Sequence, residues 1–205
     1  MFRGKNVLAV GAHPDDIEAG CFGTLLGYPP AFLVCYVMSW GGAGDQTSGE
    51  DRRKETVKSL KLLNPNSIVV EPITGLDPAM YHIYVKNVED LVNDWNIDLV
   101  LAPTTYDTHQ DHRMAHMVVI SALRDNKAGF LFYDPHCRTV DFRPNLFVKI
   151  TNQMEDKIKA LTNHRTQKGK YYMMESFIAQ YHRRYIGLSE GYYEAFEVGR
   201  LWISL

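Results

Sequence analysis

Two short stretches set histidines and aspartates at spacings that chemistry can use. In the first, His13-Pro14-Asp15-Asp16 follows an apolar run that ends at Gly11, and Glu18 comes two residues later. In the second, His109-Gln110-Asp111-His112 follows the apolar residues 99–102. Successive helical residues point about 100° apart, so two adjacent carboxylates need not face one target. One can join His13 on a divalent metal while the other accepts a proton from water at an open coordination position. Spacing does not say which aspartate does which. The plainer account of "DDIE" is an acidic first helical turn, favoured by free N–H groups and the helix dipole, with Glu18 reaching back as a capping-box or outer carboxylate. His109 and His112 fall one helical turn apart on one face, with Asp111 free to orient an imidazole through its ring N–H. His116 and His136 read as surface or satisfied polar residues.

The elements that must position these groups follow from apolar runs. Residues 6–12, 32–38, 67–71, 98–102, 130–133 and 146–150 read as strands, most too continuous to have one solvated face. Residues 15–26, 50–63, 78–95 and 111–123 carry helical spacing and are long enough to cross back to a parallel strand. The alternation predicts an α/β, Rossmann-like doubly wound, mostly parallel sheet with helices on both faces. In the strand order 3-2-1-4-5 the first and fourth strands are neighbours, and both His/Asp stretches then face one crevice at their carboxyl ends. His13, His112 and one aspartate would leave coordination positions open for water and a substrate oxygen. That is the arrangement of metal-assisted acyl hydrolysis. The chain 1–205 reads as one domain, with a core over 1–150. An extension over 151–205 starts with a helix at 153–163 and continues as an aromatic-rich tail, including Tyr185, folded over the sheet. The Gly- and Ser-rich loop 39–51, with Gly41, Gly42 and Gly44, reads as a cover over the site.

Bulk properties exclude several function classes. The 22 basic and 24 acidic side chains are interspersed and the net charge is −2, so no polybasic face invites nucleic acid or an anionic membrane. No apolar stretch reaches the roughly 20 residues of a membrane span. Three widely spaced cysteines and the lack of a leader-like start predict a cytoplasmic protein. The turn after the first strand has no second glycine where a dinucleotide pyrophosphate would approach. Exposed tail aromatics would permit a homo-oligomer.

"AHPDDIE" at 12–18 together with "DTHQDH" at 107–112 resembles the paired signatures of the LmbE-like, PIG-L-type de-N-acetylase family. "SGEDRRKE", "RPNLFVKIT", "ALTNHRTQ" and "GYYEAF" resemble further family segments, so the likeness extends over most of the chain. It implies a zinc enzyme, with Fe2+ or Mn2+ as other metals such a site accepts, that removes acetyl groups from N-acetylglucosamine-type sugars or their conjugates. It further implies His13, Asp16 and His112 as metal ligands, Asp15 as general base, and His109, held by Asp111, as electrostatic partner or acid. Arg53 and Asp77 match family positions near the substrate. His164, Tyr193 and Glu194 fall in tail motifs and are expected to pack. Two rival functions remain: a metal-dependent amidase or deacylase on a non-sugar N-acyl compound, and a non-enzymatic sugar- or nucleotide-binding module.

Overall fold

A computed structural model describes residues 2–42, 48–183 and 190–202. Positions 43–47 of the loop expected to cover the site, Gly44 among them, lie outside the described residues, as does Tyr185. Five parallel strands, β1 (Asn6–Gly11), β2 (Phe32–Val37), β3 (Ser67–Val70), β4 (Leu99–Pro103) and β5 (Gly129–Tyr133), stand in the order β3-β2-β1-β4-β5. The crossovers include α1 (Asp16–Gly20), α2 (Phe22–Gly27), α3 (Gly49–Leu60), α4 (Tyr81–Asp94) and α5 (Gln110–Ala122). The strands of the sheet centre are apolar throughout because both faces are covered. Val7 and Ala9 of β1 pack with Ile17, Leu25, Leu60 and Ile150 on one side, and Leu8 and Val10 pack with Val88, Val118 and Val119 on the other.

Two features depart from the sequence reading. The helix expected over 15–26 is broken at Cys21 into α1 and α2. Lys157, from α6 (Met154–Thr162), donates its Nζ to the carbonyls of Glu18 and Ala19 and to Glu194 Oε1, at 2.9, 2.6 and 2.6 Å. The Glu194 carboxylate in turn accepts the N–H groups of Gly23 and Thr24 at 2.9 and 2.7 Å. A buried ion pair thus takes over the partners that a continuous helix ladder would have supplied.

The tail also does more than lie over the sheet. After α7 (Glu175–Arg183), its residues form β7 (Tyr193–Arg200), which inserts antiparallel between β5 and β6 (Leu146–Lys149). The full order is β3-β2-β1-β4-β5-β7-β6, mostly parallel, with β7 alone running against its neighbours. No helix among the described residues is long and apolar enough to cross a membrane.

Candidate metal and catalytic site

β1 and β4 pair in parallel, with Ala9 opposite Leu101, so the loops leaving their carboxyl ends emerge side by side where the strand order reverses. This brings the two His/Asp stretches together. Gly11 keeps the first turn tight: a Cβ there would meet the Asp16 Cβ and the His13 carbonyl at 3.2 Å. Asp16 Oδ2 accepts the N–H groups of Ala12 and His13 at 2.8 and 2.9 Å, which closes the turn and leaves Oδ1 facing outward, 3.2 Å from His112 Nε2.

Two imidazoles stand beside the Asp16 carboxylate. His13 Nε2 lies 2.9 Å from Asp111 Oδ2, and His112 Nδ1 lies 2.9 Å from Asp107 Oδ2. With each outer nitrogen donating to its carboxylate, the inner nitrogens, His13 Nδ1 and His112 Nε2, present lone pairs to one point 3.3 Å apart. His13 Nδ1 is also 3.9 Å from Asp16 Oδ2, so two nitrogens and a carboxylate converge. Anchored imidazoles with converging lone pairs are the donor chemistry of a divalent metal site, and the residues fit such an ion. His109 stands close enough to join them: ligand atoms of His13, His109 and His112 lie within 4.8 Å of one another.

The electrostatics point the same way. Burial disfavours a charged His112, yet Asp16 and Asp107 on either side push it up to about 10. Burial would raise Asp16, but His112 and His13 hold its carboxyl well below the usual carboxylate range. Two buried carboxylates around one imidazole demand positive charge, which a divalent cation also supplies.

Asp15 is built differently. It is the N-cap of α1 with φ 101, a left-handed conformation that strains a non-glycine residue, and its side chain caps nothing. Its Oδ2 is buried with no hydrogen-bond partner, in the wall of the cleft that also holds the histidines. Burial, then the adjacent Asp16 charge, push its carboxyl up to about 6, against the opposing pull of His164 and Arg52. An unpartnered carboxylate of raised affinity for protons is the form a general base takes.

Several expected roles move. The Asp111 carboxylate serves His13 and not His109, whose Nδ1 instead accepts the backbone N–H of Asp111 at 3.2 Å and caps α5. Burial, then the neighbouring imidazoles of His13 and His112, lower His109, which favours the neutral ring over a charged acid. Arg53 lies on the exposed side of α3 and pairs with Glu50 at 2.9 Å. The arginine in the cleft wall is its neighbour Arg52, buried, with Nη2 on the Pro14 carbonyl at 3.4 Å. Gly41, at φ +70, makes room for it, since a Cβ there would fall 2.0 Å from Arg52 Nη1. Asp77 is exposed and caps the turn before α4, its Oδ1 accepting the N–H of Ala79 at 2.9 Å. Glu18 caps nothing at the helix start. It is fully buried, with Oε1 on Thr56 Oγ1 and His164 Nε2 at 3.1 and 2.9 Å.

Asp107 was not singled out by spacing, although it belongs to "DTHQDH". It lies in a loop with no periodicity, and only the folded turn reveals that it anchors His112 while its Oδ1 accepts the His109 N–H at 2.7 Å. Arg52 was missed for a related reason: the pattern does not say which of two adjacent arginines turns inward. His116 is buried and satisfied, with Nδ1 3.2 Å from the Pro103 carbonyl.

An open α/β sheet with a His/Asp metal cradle and a free carboxylate at its switch point defines a hydrolase-type centre. The sequence pattern of the family PIG-L, GlcNAc-PI de-N-acetylase, matches residues 8–123, more than half of the chain, and the protein belongs to that family. It is 27% identical over 175 residues to the uncharacterized deacetylase YaiS of Escherichia coli K12, covering 79% of this chain and 91% of that one. It is 27% identical over 187 residues to the diacetylchitobiose deacetylase of Thermococcus kodakarensis, covering 80% and 70%. The N,N'-diacetylchitobiose deacetylase of Pyrococcus horikoshii superposes with a TM-score of 0.75 at 26% identity, over 95% of this chain and 83% of that one.

Proposed function

We propose that this protein hydrolyses the acetamide of an N-acetylglucosamine-type amino sugar, or of a conjugate carrying one, to acetate and the free amine. The observation that carries the reading is the convergence of His13 Nδ1, His112 Nε2 and Asp16 Oδ1 beside Asp15, whose Oδ2 is buried and unpartnered. Membership of the family and the deacetylase relatives support the same reaction. His13, Asp16 and His112 would hold zinc, or Fe2+ or Mn2+, which supplies Lewis acidity toward the amide carbonyl and lowers the pKa of water.

The remaining steps belong to the chain's own groups. Asp111 and Asp107 fix the tautomers and orientations of His13 and His112. Asp15 Oδ2 takes a proton as the water oxygen bonds to the acetyl carbon. The oxyanion that forms accepts a hydrogen bond from His109 Nε2–H, which as a neutral donor stabilises negative charge without surrendering its proton. The C–N bond then breaks, and the proton held by Asp15 passes to the leaving nitrogen. Arg52, in place of Arg53, faces the substrate from the cleft wall. A cytoplasmic setting belongs to this reading, supported by three free cysteines.

Acetate release from a panel of N-acetyl amino sugars and ring-free N-acetyl amines, before and after chelation and zinc restoration, tests the reaction. Release from the sugars that chelation abolishes and zinc restores is expected. Release from the ring-free amides alone would move the substrate to non-sugar N-acyl compounds. No release from either with zinc present would contradict the enzymatic reading.

A further inference from the structure

The start of α1 carries three carboxylates within four residues, Asp15, Asp16 and Glu18, all buried. Two of them have an imidazole beside them. Asp16 Oδ1 lies 3.2 Å from His112 Nε2, and Glu18 Oε1 lies 2.9 Å from His164 Nε2. Asp15 Oδ2 has no hydrogen-bond partner. His164 comes from the tail, in the turn after α6, and does not line the cleft. The chemistry above leaves it without a role.

The pair that His164 makes is costly where it stands. Glu18 is fully buried and His164 is only 2% exposed. Burial disfavours a charged imidazole, yet Glu18, then Asp15 and Glu55, raise His164, so the two side chains meet as a desolvated ion pair. Two apolar side chains of similar volume would fill the space without that desolvation. The other ring nitrogen, Nδ1, is buried with no hydrogen-bond partner, so the polar hold on the ring is through Glu18. The turn that presents His164 is itself tied to α3, because Thr166 gives its backbone N–H and its hydroxyl to the Glu55 carboxylate at 3.1 and 2.6 Å.

Glu18 carries this hold to the general base. It stands one helical turn after Asp15, the N-cap, and therefore on the same side of α1. Its Oε1 also accepts the Thr56 hydroxyl of α3 at 3.1 Å, so the first turn is clamped between α3 and the tail. Ala19, the next residue, donates its N–H to the Asp15 carbonyl at 2.8 Å. Asp15 has φ 101, and a strained backbone of this kind persists only where its surroundings over-determine it. Its own side chain adds no restraint, since it caps nothing. The restraint comes from the flanks, through Arg52 on the Pro14 carbonyl on one side and the clamped Glu18 on the other.

Resting on the reaction proposed above, we propose that His164 is a positioning residue for Asp15: by pinning Glu18 it fixes the first turn of α1, which keeps Asp15 in its left-handed conformation with its carboxylate in the cleft wall. Without that hold the turn relaxes toward ordinary backbone angles. The carboxylate then moves off the water it must deprotonate, while the metal donors, held by Asp107, Asp111 and the turn at Gly11, stay in place.

Two substitutions separate this hold from the filling of space. His164→Asn is too short to reach Glu18, and His164→Gln is long enough to donate to it. At matched zinc content, His164→Asn should lower kcat about 100-fold, the scale of an ångström's misplacement of a reacting group, with KM within about twofold. His164→Gln should return kcat to within about fivefold of the unsubstituted protein, on the same grounds. In the Asp15→Asn protein, adding His164→Asn should change the remaining rate by less than about twofold, because the group it positions is gone. An unchanged kcat in His164→Asn, a rise in KM at constant kcat, or an equal fall in both backgrounds would overturn the proposal. If His164→Asn does not fold, Thr56→Val releases the other hold on Glu18 at constant shape. It should lower kcat about threefold to tenfold, the scale of one hydrogen bond, and an unchanged kcat there would count against the proposal equally. No acetate release from the unsubstituted zinc protein would sink the reaction and leave the positioning to a crystal structure of His164→Asn protein. Asp15 is expected there to leave the left-handed region, and a φ still near 101 would overturn the positioning as well.

Discussion

The short helix α1 carries a buried charge cluster at each end, and the two are built on opposite plans. At its carboxyl end, Lys157 spends its three donors on two carbonyls and Glu194, whose oxygens also accept two backbone N–H groups. Charge there replaces helix hydrogen bonds, and the pair is sealed from solvent. At its amino end, the ring nitrogens turned away from the cluster centre are anchored on carboxylates, while those turned inward meet 3.3 Å apart beside Asp16. The adjacent Asp15 Oδ2 is left with no partner. A saturated cluster holds the fold, and a cluster with donor atoms to spare holds something else. Burial of charge alone does not distinguish the two, but hydrogen-bond bookkeeping does.

The contrast can be broken at either end. The largest effect on stability is expected at the saturated end. Lys157→Ala leaves the Glu194 carboxylate and two helix carbonyls buried without their cation, and should cost about 3–5 kcal/mol in denaturant unfolding. A loss below about 1 kcal/mol would mean the pair contributes no more than a surface bridge. At the amino end, Asp107→Asn should leave the fold intact but weaken zinc binding about 10–100-fold, because it loosens the anchor of His112. Competition with a chelator of known affinity measures this, and unchanged affinity would remove Asp107 from the site. The smallest effect is predicted for Arg53→Ala. It breaks only an exposed bridge to Glu50 and should change stability by less than about 0.5 kcal/mol, with kcat/KM unaltered. Arg52→Ala should raise KM, so the pair of adjacent variants tests which arginine faces substrate.

What could be read in advance follows from where each signal is local. The strands β1, β2, β4 and β5 are apolar runs because both faces are buried, and that pattern survives in a bare sequence. The order of β1 and β4, and with it the meeting of His13 and His112, follows from the alternation of elements. β7 was hidden because two of its residues are glutamates in buried or half-buried places: Glu194 serves α2 and Lys157, and Glu197 accepts from Thr104 and from the Arg143 N–H. Their partners are distant in the chain, so the strand reads as a polar tail. The break at Cys21 is illegible for the same reason, since Lys157 and Glu194 cause it. The choice between Arg52 and Arg53, and between His13 and His109 as the partner of Asp111, rests on which way a side chain turns, which packing decides.

The central claim is that Asp15 acts beside a metal it does not hold. Acetate release by Asp15→Asn protein, with zinc counted in the same sample, tests it most directly. The account predicts the zinc content of the unsubstituted protein and a rate lower by about 10^3-fold, within the range expected for loss of a general base. Full activity with zinc retained, or loss of zinc along with activity, would contradict it.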